Sequence, residues 1–173
     1  MSRTLGLRRG TVRLSRHHAA WKRAFSIQQR RIAKALGPSA VSVEHVGSTA
    51  IPGVVAKPVL DMVLGVPRVG SHVQLDARLR RIGYVRRRTE HGNDVLYTMG
   101  PETNRTAYLH VVRRGGALWR KYLGFRDWMG SHPADARRYE ELKRKLYGTF
   151  AGDRKRYTLG KHRFITHVLR RIP

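Results

Sequence analysis

The chain has 173 residues, a mass of 19.8 kDa and no cysteine, which excludes disulfide bonds and thiolate catalysis. Hydrophobic residues make up 40% and charged residues 27%, which excludes a wholly disordered chain, and no apolar run is long enough to cross a membrane. Lysine and arginine number 36 against 11 acidic residues, and the net charge of +25 attracts nucleotides, RNA and other polyanions. An arginine-rich composition with a solvated surface explains the same charge equally well. We expect a cytoplasmic protein without membrane insertion.

The N-terminal segment is basic, and the first acidic residue of the chain is Glu44. Its leucines and valines are separated by arginine and glycine, so they do not form the apolar core of a secretion signal. We interpret residues 1–16 as a flexible basic arm, which either contacts phosphates or has no role. Residues 17–173 are predicted to form a single domain.

Hydrophobic spacing first predicts a helix from Trp21 to Leu36 that ends at Gly37-Pro38. Alternation then predicts a strand over Val41–Val46, and a nearly continuous apolar run predicts a buried strand over Val59–Val66. The next elements are one short helix and three strands, at 75–82, 84–85, 95–99 and 106–112.

After Gly115-Gly116 the apolar spacing is helical to the end of the chain. One of these helices begins after Pro133 and carries its apolar stripe from Tyr139 to Phe150. The sequence therefore predicts an α+β fold, with a mixed β-sheet flanked by helices and a helical C-terminal third.

The residues best suited to chemistry lie between Glu44 and Asp61. Gly47 would let the backbone approach a phosphate closely, and Ser48 would donate a hydrogen bond to it. Lys57 would offset phosphate charge. Asp61, a carboxylate within an apolar strand, would bind a divalent metal, because hard cations prefer carboxylate oxygens. The structural alternative is that Asp61 tethers the loop and that Gly47 only serves a turn.

The segments Glu44–Gly53 and Ala56–Asp61 resemble the signature of the GrpB family of bacterial proteins. Shorter matches follow in the family's order, at Leu109–Val112, Leu123–Met129, His132-Pro133, Tyr139–Lys143, Tyr157-Thr158, Lys161 and Phe164-Ile165. The resemblance extends over residues 21–172. It implies a nucleotidyltransferase-like fold, and relatives of this kind also occur fused behind dephospho-CoA kinase.

Nucleotidyltransferases of this superfamily hold two Mg²⁺ ions with an Asp-x-Asp pair and a third acid on a later strand. The resemblance implies that Asp61 is the first acid, but Val63 stands at the second position and His110 is the candidate at the third. We therefore expect a single Mg²⁺ or Mn²⁺ ion, held by Asp61, Glu44 and His45, with His110 as a further candidate.

The resemblance also implies a phosphate-binding turn, and other polar residues extend the predicted nucleotide site. Its predicted members are Gly47, Ser48, Thr49, Lys57, Arg105, Arg126 and Lys161. The guanidinium groups of Arg105 and Arg126 suit bidentate contacts with phosphate, although Arg126 is equally suited to pair with Asp127 or Glu140. Tyr157 and Lys161 are four residues apart on one helix face, which points to a ligand or to packing and solvent.

The leading hypothesis is a metal-dependent nucleotidyltransferase with Asp61, Glu44 and His110 as its catalytic residues. It would bind a nucleoside triphosphate, or another phosphate-bearing small molecule, and transfer a nucleotidyl group to an acceptor. The alternative is a non-catalytic nucleotide- or RNA-binding module that uses the basic surface on a degenerate transferase site. In that alternative the arginines determine affinity and Asp61 has no effect on it.

Overall fold

The structure, a computed structural model, describes residues 5–37, 42–69, 73–87 and 95–172. Val41 and Pro38, at two predicted element ends, lie outside these ranges. Within the described ranges the elements in chain order are α1 (Ala19–Leu36), β1 (Ser42–Val46), a 3₁₀ turn (Ser48–Ala50), β2 (Leu60–Val66), α2 (Val73–Arg81), β3 (Tyr84–Arg87), β4 (Val95–Met99), β5 (Ala107–Arg113), α3 (Ala117–Ser131), α4 (Pro133–Phe150), α5 (Arg154–Gly160) and α6 (His162–Leu169). No helix in these ranges is long and apolar enough to span a membrane.

The five strands form one mixed sheet in the order β1-β2-β5-β4-β3. β2 and β5 are parallel, and the other three pairs are antiparallel. The register places Asp61, near the start of β2, opposite Val46 on β1 and Tyr108 on β5. The predicted α+β fold with a mixed sheet and a helical C-terminal part is confirmed.

The two faces of β2 belong to different layers, because successive side chains of a strand point to opposite faces. Met62 and Leu64 are buried in the main core with residues of α1 and α2. Val63 is buried on the other face with residues of α3. Asp61 shares the face of Val63 and therefore points toward the C-terminal helices.

The C-terminal helices also hold the loop that leads into β2. Ile51 and Val54 are buried in one cluster with residues of α3, α4 and α6. The backbone N–H of Val55 donates to a carboxylate oxygen of Glu140 over 3.2 Å, and the Lys143 ammonium donates to the Val55 carbonyl. The loop before Asp61 is therefore fixed to α4 through both the backbone N–H and the backbone carbonyl of Val55.

The N-terminal segment differs from the predicted flexible arm. Leu7 and Val12 are only 7% and 6% exposed, and isolated β-bridges pair Leu7 with Arg105 and Ser15 with Ala56. The Val12 N–H also donates to the carbonyl of Ala151 over 2.9 Å. Residues 5–16, which we call the N-terminal strap, are thus attached to the domain. The sequence does not reveal this, because two isolated apolar anchors and a few backbone bonds leave no periodic pattern.

The attachment of the N-terminal strap predicts different costs for two neighbouring substitutions. Leu7→Ala should lower the free energy of unfolding by roughly 2 kcal/mol, because it leaves a cavity at a buried site. Arg8→Ala should change it by less than about 0.5 kcal/mol, because the Arg8 side chain is exposed. Urea unfolding measures both; equal midpoints for the two variants would mean that the segment is a free arm.

Candidate functional site

The turn after β1 lies directly against Asp61. Gly47 has a φ of 66°, and a Cβ added there would lie 2.8 Å from both the Cβ and the Oδ2 atom of Asp61. Only glycine satisfies this conformation and this approach. The next residue, Ser48, is hydrogen-bonded through its hydroxyl to the Tyr139 hydroxyl of α4. The structure therefore brings Gly47 into contact with Asp61, and the predicted roles of Gly47, Ser48 and Asp61 in phosphate and metal binding stay predictions.

Three lysines from separate elements surround the Asp61 carboxylate. Lys57 comes from the loop before β2, Lys143 from α4 and Lys161 from the junction of α5 and α6. Each interacts electrostatically with Asp61, and Lys143 also interacts with the other two lysines. We call these residues the lysine trio.

The Asp61 carboxylate does not neutralise the trio by direct contact. In the described part of the chain, none of the ion pairs within 4 Å and none of the side-chain hydrogen bonds involves Asp61. A fourth cation, Arg154 of α5, interacts with Lys57 and Lys161, and its guanidinium lies 5.1 Å from the centroid of the Tyr108 ring. The three lysines thus interact with one carboxylate without pairing with it, and Arg154 interacts with two of these lysines.

Burial is the main cause of the shifted lysine pKa values, because desolvation disfavours the charged form. Burial, together with the smaller effect of neighbouring cations, lowers the pKa of Lys57 to about 7 and that of Lys143 to about 7. Burial likewise lowers the pKa of Lys161 to about 8, against the opposing effect of Asp61. An anion among these groups would favour their charged forms.

Tyrosine rings lie next to the ammonium groups of the lysine trio. The Lys57 and Lys161 ammonium groups lie 5.9 and 4.7 Å from the centroid of the Tyr157 ring, and Lys143 lies 4.9 Å from that of Tyr139. Ring faces attract cations, so these contacts fix the ammonium groups and offset part of the desolvation cost. The predicted common face of Tyr157 and Lys161 is confirmed by their contact.

His45 and Thr49 interact with each other. The Nε2 atom of His45 lies 2.9 Å from the Thr49 hydroxyl, and its ring stacks on Phe25 with a centroid distance of 4.9 Å. Burial lowers the pKa of His45 to about 4, so the ring is neutral at pH 7. Thr49 itself is buried. Their predicted roles in metal and phosphate binding stay predictions.

Glu44 and Arg126 form an ion pair that fastens α3 to the edge strand β1. One guanidinium nitrogen of Arg126 donates to Glu44 Oε2 over 2.9 Å and to the His45 carbonyl over 3.1 Å. The Nε atom donates to Asp127 over 2.7 Å. Arg126 therefore pairs with Asp127, one of the two structural partners that the sequence suggested. The other suggested partner, Glu140, pairs with Arg144 instead.

Two further predicted residues lie apart from the lysine trio. Arg105 is 3% exposed, donates to the Gly100 carbonyl over 2.6 Å and pairs through its backbone with the N-terminal strap. His110 lies opposite Val63 on the Asp61 face, with Nδ1 3.0 Å from the Tyr122 hydroxyl. The structure therefore gives Arg105 a packing role, and the catalytic role of His110 stays a prediction.

The side chains present do not fit the predicted shared metal ion. Across the four described ranges, no three His, Asp or Glu side chains form a group that could hold a metal. Glu44 is engaged by Arg126 and His45 by Thr49, and although the neutral His45 ring also interacts with Asp61, the cationic groups that interact with Asp61 are those of the lysine trio. A divalent cation on Asp61 would be repelled by the lysine trio.

Lys143 and Arg154 belong to the site but were not predicted to. Lys143 carried a usable signal, because it lies four residues after Tyr139 on the apolar stripe of α4. A lysine on a buried helix face requires a carbonyl, a carboxylate or a ligand beside it. Arg154 had no such signal, since it starts a short helix in a basic segment.

Comparisons with known proteins agree with this architecture. A family model described as GrpB protein matches residues 11–171. A glutamate-rich protein GrpB of Alkalihalophilus pseudofirmus is 31% identical over 170 residues, 95% of this chain and 98% of that protein. A dephospho-CoA kinase of Mycobacterium leprae is 25% identical over 169 residues, 82% of this chain but 41% of the kinase. The crystal structure of conserved protein GrpB from Enterococcus faecalis superposes with a TM-score of 0.83 at 25% identity, covering 92% of this chain and 96% of that one.

The lowered pKa of Lys143 predicts that stability depends on pH. Its folded value of about 7 is below the ordinary 10.5, so the folded protein binds fewer protons between these values. The free energy of unfolding should rise with pH from 7 to about 10, by up to about 1.4 kcal/mol per pH unit from this group. It should fall again as the pH returns to 7.

Lys143→Met should reduce this slope, while Lys57 and Lys161 retain their own contributions. Lys145→Met is the matched control, because Lys145 is exposed on the same helix. Urea unfolding at several pH values measures the slopes. Equal slopes in the two variants would show that Lys143 has an ordinary pKa in the folded protein.

Proposed function

The chain belongs to the GrpB family, and we propose that it binds a nucleoside triphosphate, with the phosphates held by Ser48 and the lysine trio. The observation that supports this most is the convergence of the lysine trio on Asp61 without direct ion pairs, with Arg154 interacting with Lys57 and Lys161. Buried ammonium groups are costly unless hydrogen-bonded acceptors surround them. The oxygens of a polyphosphate supply such acceptors together with negative charge.

The turn at Gly47 places Ser48 near the proposed site. The missing side chain of Gly47 lets the turn lie directly against Asp61, and the Ser48 hydroxyl lies at the start of the 3₁₀ turn that follows. Tyr139, bonded to Ser48, also lies beneath Lys143, so one aromatic side chain positions both groups. The turn and α4 therefore act together on the same region around Asp61.

The first test is a thermal-shift measurement with ATP, GTP, CTP and UTP. A ligand that binds only the folded state raises its stability by RT ln(1 + [L]/Kd). We expect a shift with at least one nucleotide, and its loss in Lys57→Met and Lys161→Met. Lys155→Met, which removes an exposed charge from α5, should retain it. An equal loss in all three variants would contradict a defined site.

The same measurement separates this proposal from RNA binding through the basic surface. Binding to phosphates along an RNA chain weakens steeply with salt. A shift produced by every polyanion, abolished by moderate salt and unchanged in Lys161→Met, would favour the RNA-binding module. A nucleotide-specific shift that survives moderate salt would favour the site around Asp61.

Nucleotidyl transfer to an acceptor is the second candidate function. It is favoured by the contact between the Gly47-Ser48 turn and Asp61, the arrangement that the family resemblance implies. The test is release of labelled pyrophosphate from each nucleoside triphosphate, with Mg²⁺ or Mn²⁺ supplied in turn. Release that Asp61→Asn abolishes would support transfer, and release equal in both proteins would contradict a role for Asp61.

A further inference from the structure

Resting on the proposed function, we propose that Lys57 and Lys161 bind the polyphosphate directly, beside the buried Lys143, with no divalent metal ion between protein and phosphate. In this inference the protein's own ammonium groups supply the positive charge that metal ions supply in two-metal polymerases and phosphatases. It concerns the binding step and its cofactor requirement. Several cations match the several negative charges of a polyphosphate, so the expected ligand is an organic or inorganic polyphosphate.

The first support is the face of the sheet on which metal-binding acids would be expected. Asp61 and Val63 share that face of β2, and Tyr108 and His110 lie opposite them on β5. Val63 is fully buried in an apolar cluster with residues of β1, β5 and α3. Asp61 is the only carboxylate among these four positions, and Glu44, which lies opposite Val63 on β1 and shares this face, is paired with Arg126.

The second support is the fixed placement of the cations. Lys143 is 1% exposed, and its ammonium group donates to the Val55 carbonyl above the Tyr139 ring. Lys57 and Lys161 both contact the Tyr157 ring. These contacts hold the three lysine side-chain nitrogens in place before any ligand arrives, and a bound anion would favour their charged forms. A preorganised cation loses little freedom on binding, so it can substitute for a bound metal in attracting phosphate.

The third support is that the negative charge of Asp61 acts on the neighbouring lysines rather than on the ligand. A carboxylate beside the lysine trio lowers the mutual repulsion of these three cations while the site has no ligand. It would repel a phosphate rather than attract one, unless a metal ion lay between them. Metal-free binding and metal-bridged binding therefore predict opposite effects of Asp61→Asn. Removing the negative charge maintains or strengthens metal-free binding and abolishes metal-bridged binding.

The experiment is isothermal titration calorimetry of the whole chain with ATP and with inorganic tripolyphosphate. Each ligand is titrated in EDTA and in excess Mg²⁺. The variants are Asp61→Asn, Lys161→Met, Lys161→Arg and Lys143→Met, and Lys145→Met is the matched control for loss of one surface charge. Because Lys143 is buried, circular dichroism first establishes that its variant folds, and Lys161→Met carries the test if it does not.

We expect both ligands to bind in EDTA at least as tightly as in Mg²⁺, because Mg²⁺ competes for the same phosphate oxygens. Lys161→Met should weaken binding by about tenfold or more, since a charge-assisted hydrogen bond is lost. Lys161→Arg should recover part of the affinity, and Lys145→Met should stay within about twofold of the wild type. Asp61→Asn should bind as tightly as the wild type or more tightly.

The two proposals fail in different ways. Binding that requires Mg²⁺, or that Asp61→Asn abolishes, would overturn the metal-free inference and leave the nucleotide site standing. Absence of binding by ATP and tripolyphosphate in both buffers would overturn the proposed function and this inference with it. Binding in EDTA that Lys161→Met and Lys145→Met weaken equally would also overturn it, because general surface charge would then account for the affinity.

Discussion

Much of the local structure depends on a buried ammonium group, that of Lys143, which must be satisfied within the fold. It lies on the apolar side of α4, donates to the Val55 carbonyl and rests on the Tyr139 ring. Because the neighbouring Val55 N–H is bonded to Glu140 of the same helix, these contacts fix the loop that leads into β2. The position of Asp61 relative to the C-terminal helices follows from this attachment. A buried charge that loses one partner is strongly destabilising, so this part of the fold has little freedom to rearrange.

The same constraint connects packing with the proposed function. The lysine trio comes from a loop, from α4 and from the junction of α5 and α6, so the cations converge only when the C-terminal helices are in place. The N-terminal strap contributes as well, because it pairs with Ala56 just before Lys57 and accepts a hydrogen bond from the Arg154 N–H through Gly10. Two of the four cations are thus adjacent to contacts made by the strap. The N-terminal strap, predicted from the sequence to be a flexible basic arm, therefore contacts the segments that carry Lys57 and Arg154.

The sequence predicts the sheet and singles out the segment from Gly47 to Asp61 because both leave local signals: apolar periodicity, and a turn motif followed by a carboxylate in a strand. It does not predict how the remaining candidates are used. Arg126 is drawn to Glu44, and Arg105 is buried beneath the strap, because contacts between distant segments decide the partner of a guanidinium. Lys143 could be detected from its position on the apolar stripe, but only the fold shows that it meets Lys57 and Lys161. Among the described residues, the predicted metal ligands Asp61, Glu44 and His45 do not form one group that could hold a metal, since Glu44 pairs with Arg126 and His45 with Thr49.

The most direct test of the central claim, that the lysine trio is a binding site for an anionic ligand, is nuclear magnetic resonance of the lysine ε-carbons, followed against pH with and without tripolyphosphate. Variants of Lys57, Lys143 and Lys161 assign the three signals. The account predicts that these signals titrate near neutral pH in the free protein, with pKa values of about 7, 7 and 8, and that the ligand moves all three toward the ordinary lysine value of 10.5. Signals from these lysines that ignore the ligand, while exposed lysines respond to it, would contradict the account.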